Sequence, residues 1–125
     1  MNIKLPVSIS GTVLHGNHIG TGISMPTANI LLPKEYEDLP YGVYYSKVTV
    51  SGSTYKGITN VGLKPTVQDS LSANVETFIY DFEGDLYGKT IQVMLLEFRR
   101  PEQRFESIEE LSRAMHADLE AGKNR

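Results

Sequence analysis

"GVYYSKVTVSGSTYKGITNV", residues Gly42–Val61, decides the fold class. Gly42–Val50 is rich in aromatic and β-branched side chains, the types that fit a pleated, half-buried surface. Ser51-Gly52-Ser53 supplies a turn, and Thr54–Val61 resumes the pattern. Two such runs joined by a short glycine-containing turn predict a β-hairpin. Outward from this hairpin the same signals recur. Val7–Leu14 mixes Val, Ile, Ser and Thr around Gly11, and Val75–Phe82 reads "VETFIYDF". "EGDLYG" then turns the chain, and Thr90–Phe98, "TIQVMLLEF", returns. Five or six strands in short-range succession predict a mainly β domain, an antiparallel barrel or sandwich.

The pattern changes after Pro101. Apolar residues at 108, 111, 115 and 119 are spaced by three and four, which is helical. "SIEE" places Ser107 as N-cap and Glu110 three residues on, the capping-box arrangement. Gly122 reads as the stop. One C-terminal helix is expected over about residues 107–121, within a single domain spanning 1–125.

Composition narrows the function. A net charge of -3 speaks against a general electrostatic grip on nucleic acid, while a few local donors still suffice for a phosphorylated small ligand. The chain has no cysteine, so disulfides and thiolate metal sites are excluded. No run approaches the roughly 20 apolar residues of a membrane span. "MNIKLPVSIS" has no apolar core of a signal peptide, so a cytoplasmic protein without membrane partners is expected.

Chemistry-bearing residues are few and spread out. There is no GxxxxGK[ST] loop, and His15, His18 and His116 make no zinc signature. "GNHIGTG", residues 16–22, has glycines that let backbone N–H groups approach phosphate; the plain alternative is a flexible turn. Pro26-Thr27-Ala28-Asn29 sets two neutral oxygen-bearing side chains on one face of an extended chain. Such a pair suits Mg²⁺ that arrives with nucleotide phosphates. The alternative is a Thr and an Asn bonding their own backbone beside a proline. Glu76 sits in an apolar and aromatic strand, on a face with Phe78, Tyr80 and Phe82. A carboxylate there is either at an opening or paired, and both suit a general base; the alternative is an ordinary rim glutamate. Tyr87 and Phe105 suit a slot for a flat ring, with Arg99 and Arg100 for an anion or ring carbonyl; core packing and a solvated surface are the alternatives.

Taken in order, these segments resemble the riboflavin kinase family, including the kinase half of bacterial bifunctional FAD synthetases. The carriers are Gly11 and Val13; His15-Gly16 and Gly20; Pro26-Thr27-Ala28-Asn29; Leu39-Pro40 with Gly42-Val43-Tyr44; and Asn60-Val61-Gly62 with Pro65-Thr66. They continue through Val75-Glu76, Asp81-Phe82, Asp85-Leu86-Tyr87-Gly88, Arg100-Pro101-Glu102 with Phe105, and Asp118. The resemblance implies a six-stranded antiparallel Greek-key β-barrel with a C-terminal helix. It implies transfer of the ATP γ-phosphoryl group to riboflavin, giving FMN and ADP. It assigns Thr27 and Asn29 to Mg²⁺ and, with Gly16, Gly20, Asn60 and Gly62, to the nucleotide. Glu76 becomes the base, and Asp85, Tyr87, Arg100, Glu102 and Phe105 become the flavin site. The chain then reads as a stand-alone kinase or as an excised domain whose partner is an adenylyltransferase domain.

The loop 16–25 departs from that family. His18 stands where a glycine is usual, Ile19 and Thr21 where arginines are usual, and Ser24 and Met25 where glycine and an aromatic are usual. Fewer cationic donors then face the phosphates, so weaker ATP binding is expected. A flavin- or FMN-binding module with little kinase activity is the alternative function.

Overall fold

A computed structural model describes residues 4–14, 25–65 and 71–125. Its elements are β1 (Val7–Thr12), β2 (Thr27–Leu31), a 3-10 turn at Lys34–Tyr36, β3 (Gly42–Val50), β4 (Ser53–Pro65), β5 (Leu71–Ile79), β6 (Thr90–Pro101) and α1 (Ile108–Lys123). The strands form one antiparallel sheet in the order β1-β6-β3-β4-β5-β2. β3, β4 and β5 are successive neighbours and β6 returns beside β3, which is the Greek-key order. The sheet curls as a half-barrel until its two edges touch: Leu14 bridges to Asn29, with Leu14 N donating to Asn29 O at 2.7 Å. Among the described residues no helix is long and apolar enough to cross a membrane.

The central hairpin forms as its sequence predicts. Val50 pairs with Ser53, and the two turn residues between them, Ser51 and Gly52, have φ of 50° and 84°. Positive φ at both central positions matches the twist of the flanking strands. β5 ends earlier than the expected Phe82. Asp81 takes a φ of 60°, which no extended strand accommodates, and the ladder stops at Ile79.

Strand alternation divides the apolar residues into two groups. Ile9, Ile30, Val48, Val61, Val75, Ile79, Val93 and Leu95 fill the concave side and are fully buried. Three hydroxyls share that interior: Thr59 Oγ1 donates to Ser46 Oγ at 2.7 Å and lies 2.8 Å from Thr77 Oγ1. Because Thr59 has one proton and gives it to Ser46, Thr77 is the donor to Thr59. The convex side carries a second cluster, Val43, Ile58 and Phe78, covered by Leu119 of α1.

α1 starts as predicted. Ser107 Oγ accepts from Glu110 N at 3.2 Å, and Glu110 Oε2 accepts from Glu106 N at 3.1 Å, one residue ahead of the usual box partner. Its end is different. Gly122 does not stop the helix, which runs on to Lys123 with Asn124 as C-cap. Gly122 is instead a contact point: a Cβ there would lie 2.5 Å from Tyr80 Oη and 2.6 Å from Ile58 Cδ1. Tyr80 Oη donates to Leu119 O at 2.5 Å and Lys56 Nζ to Lys123 O at 2.8 Å, holding the last turn against the sheet. Gly122→Ala therefore lowers stability by roughly 1–3 kcal/mol through overpacking, despite alanine's better helix propensity. Denaturant unfolding measures this, and an unchanged midpoint would contradict the packing role.

Candidate functional site

Strand register assembles the polar residues. Asn60 of β4 pairs with Glu76 of β5, and Glu76 pairs with Asn29 of β2. Residues paired in register share a face, so Asn60, Glu76 and Asn29 form a row across three strands. Val75, Thr77 and Ile79 point into the core and are fully buried, which puts Glu76 and Phe78 on the convex side. Alternation in the sequence predicts this division. Thr27, paired with Phe78, lies two residues from Asn29 on that same side.

The row is tied together on one side and open on the other. Asn29 Nδ2 donates to Glu76 Oε2 at 3.4 Å. Asn29 Oδ1 is buried and has no hydrogen-bond partner among the described residues. A buried carbonyl oxygen without a donor costs about 1–3 kcal/mol, which makes it a candidate ligand atom. An oxygen of this kind, with Thr27 two residues away on the same side of β2, fits a hard divalent cation, which takes oxygen ligands.

Gly62 and Glu102, expected at different substrates, meet. Gly62 follows Asn60 by two on β4, and its Cβ space is filled by the Glu102 carboxylate. Glu102 N also donates to Tyr41 O at 3.4 Å, which lays the segment after β6 along the sheet. Any side chain at 62 expels Glu102 from the end of the row.

The Asp85–Gly88 turn is tied to the chain just after β1. Asp85 Oδ1 accepts from Tyr87 N at 3.0 Å, and Leu86 is buried as the anchor. Gly88 N donates to Val13 O at 3.1 Å and Val13 N to Lys89 O at 2.9 Å. Through Leu14 this stitching reaches Asn29. The turn precedes β6 and the Arg100–Phe105 segment follows it. Tyr87 thus flanks the start of β6 and Phe105 its end. Tyr87 is exposed and Phe105 half-buried.

Arg100 has its guanidinium engaged within the protein. Its Nε donates to Asp118 Oδ1 at 2.9 Å, its Nη2 to Asp118 Oδ2 at 2.7 Å and its Nη1 to Pro101 O at 3.2 Å. Arg99 Nε donates to the same Asp118 Oδ1 at 2.9 Å, and that bond pushes the Arg99 pKa up. Burial, followed by Asp118, pushes the Tyr80 phenol up to about 12. Sequence reasoning left Asp118 without a role. Its signal was a lone acid at helical spacing from Met115 and next to Leu119, on the apolar stripe.

Gly16 and Gly20 lie outside the described residues, as do His15, His18, Ile19, Thr21, Ser24 and Thr66. Met25, the last residue of the unusual loop, packs against the Val43–Ile58–Phe78–Leu119 cluster.

Comparison with known proteins agrees with this architecture. The sequence model of the flavokinase family, described as riboflavin kinase, matches residues 3–125. A bifunctional riboflavin kinase/FMN adenylyltransferase of Pseudomonas fluorescens is 38% identical over 118 residues, covering 94% of this chain and 38% of that protein. A crystal structure of a Streptococcus pneumoniae protein named for macrolide efflux has 32% identity and a TM-score of 0.76, covering 96% of this chain and 39% of that one. Riboflavin kinase from Trypanosoma brucei shares the fold at a TM-score of 0.62 and 21% identity, covering 94% and 74%. The chain spans less than half the length of the first curated relatives it matches.

Proposed function

The chain belongs to the riboflavin kinase family, and from that premise we propose that it transfers the γ-phosphoryl group of ATP to the ribityl 5′-hydroxyl of riboflavin. The O5′–H bond breaks and an O5′–P bond forms. The bond from Pγ to the β,γ-bridging oxygen breaks, and ADP leaves with FMN as the other product. Glu76 takes the hydroxyl proton onto its carboxylate. Asn29, hydrogen-bonded to Glu76 through Nδ2, would hold Mg²⁺ through Oδ1, with Thr27 as the second protein ligand. A bound cation would neutralise phosphate charge. Asn60 and Gly62 continue the nucleotide face, together with Gly16 and Gly20 of the glycine loop.

The flavin is held at the end of β6 by Glu102 and Phe105 together with Arg100, whose guanidinium, bonded to Asp118 and Pro101 O, fixes that segment. Asp85 and Tyr87, whose turn is bonded to the β1 end next to Asn29, complete the site from the nucleotide side. Little covalent chemistry falls to the protein; positioning and charge compensation account for most of the acceleration. The observation that carries the proposal is Asn29 Oδ1, buried next to Glu76 and without a hydrogen-bond partner of its own among the described residues. An adenylyltransferase, an activity named in the Pseudomonas relative, is the reaction partner that would consume the FMN.

Incubation with riboflavin and Mg-ATP, followed by chromatography, tests the activity: FMN is the expected product. The second reading, a flavin-binding module of the same fold, rests on the missing arginines of the 16–25 loop. Flavin bound tightly but returned unchanged at saturating Mg-ATP would select it.

A further inference from the structure

In a plain strand Arg99 and Arg100 would point to opposite faces. β6 is not plain there. Val43 pairs with Arg100 and Tyr44 with Phe98, so Arg99 is the inserted residue of a β-bulge. Both guanidinium groups consequently reach one carboxylate, that of Asp118, which is 3% exposed.

The two arginines then diverge. Arg99 uses Nη1 on Tyr45 Oη at 3.0 Å, a contact on the convex face under α1. Arg100 turns Nη1 to Pro101 O, the carbonyl at which the chain leaves β6. One residue on, Glu102 lies over Gly62, beside the Asn60–Glu76–Asn29 row. Asp118 thus grips Arg100 by two bonds, and Arg100 in turn holds the carbonyl that starts the 101–105 segment. A bidentate guanidinium–carboxylate pair fixes orientation as well as distance.

We propose that Asp118 is a positioning residue: through Arg100 it sets the path of residues 101–105 and so the geometry with which they hold riboflavin. This rests on the kinase reading for the identity of the ligand. Asp118 itself touches no substrate. A merely structural Asp118 would cost stability and impair both substrates alike. The positioning role impairs riboflavin selectively.

Asp118→Asn replaces one carboxylate oxygen by an amide donor facing the guanidinium groups. Riboflavin affinity, read by quenching of flavin fluorescence, is expected to weaken on the order of tenfold or more, with KM for riboflavin rising in parallel. KM for ATP and kcat at saturation of both substrates should stay within about twofold. Gly122→Ala is the control: it loosens the last turn of α1 and lowers Tm without touching the Asp118 network, and it leaves riboflavin affinity within about twofold. Asp118→Glu keeps the charge and should recover part of the affinity, and it replaces the Asn variant if that one does not fold.

Unchanged riboflavin affinity in Asp118→Asn would overturn the proposal, as would equal weakening towards ATP and riboflavin. The binding readout does not depend on turnover. A wild-type chain that binds riboflavin without making FMN sinks the kinase reading while the affinities still decide the role of Asp118. A wild-type chain that binds no riboflavin sinks both.

Discussion

Glu76→Gln lowers FMN formation by about 10²–10⁴-fold, the range for losing a positioned general base. The amide retains an oxygen to accept from Asn29 Nδ2, so the row keeps its shape. It cannot take up the proton of the ribityl hydroxyl. Glu76 is only partly buried and its strand neighbours Val75 and Thr77 carry the packing, so the fold and riboflavin affinity should persist. Turnover by chromatography, together with flavin fluorescence quenching, separates the two effects. A Gln variant with wild-type turnover removes Glu76 from the mechanism.

Asn29→Ala should weaken Mg-nucleotide binding by on the order of 1–3 kcal/mol, about 5- to 150-fold, and leave riboflavin binding nearly unchanged. The physical signature is a contrast between free and bound protein. Without ligand, the substitution deletes a buried oxygen that has no partner among the described residues and one long hydrogen bond of 3.4 Å. These changes oppose each other, so the unliganded Tm moves little. With Mg-ADP present, the wild type gains thermal stability in proportion to its affinity and the variant gains much less. Thr27→Ala should behave in the same way. Equal ADP affinity in wild type and variants would count against these two residues as cation ligands.

The parts of the fold legible in the sequence were those set by local patterns. The β3–β4 hairpin follows from alternation around a turn with positive φ at Ser51 and Gly52, and the helix start follows from Ser107. The face of Glu76 was readable for the same reason, since period-two alternation needs no knowledge of neighbours. Gly122 was misread because a glycine near a helix end signals termination, whereas here its missing Cβ admits Tyr80 and Ile58. Such a close approach is a tertiary fact that local sequence does not encode.

The site shows the same division. That Asn29 joins Glu76 and Asn60 in a row depends on register between β2 and β5, strands far apart in the chain. The meeting of Gly62 with Glu102 is likewise long-range. The bulge at Arg99 overrides the alternation that adjacent residues ordinarily obey, so the Arg99–Arg100 pair gave no hint of a shared carboxylate.

In the proposed reaction the convex row couples riboflavin's hydroxyl to a nucleotide phosphate. The most direct measurement follows the label of γ-phosphate-labelled ATP incubated with the wild-type chain, Mg²⁺ and riboflavin. The label should appear on FMN, one per ADP formed, and little ADP should form when riboflavin is omitted. Label released as inorganic phosphate, or flavin bound but recovered unphosphorylated at saturating Mg-ATP, would contradict it.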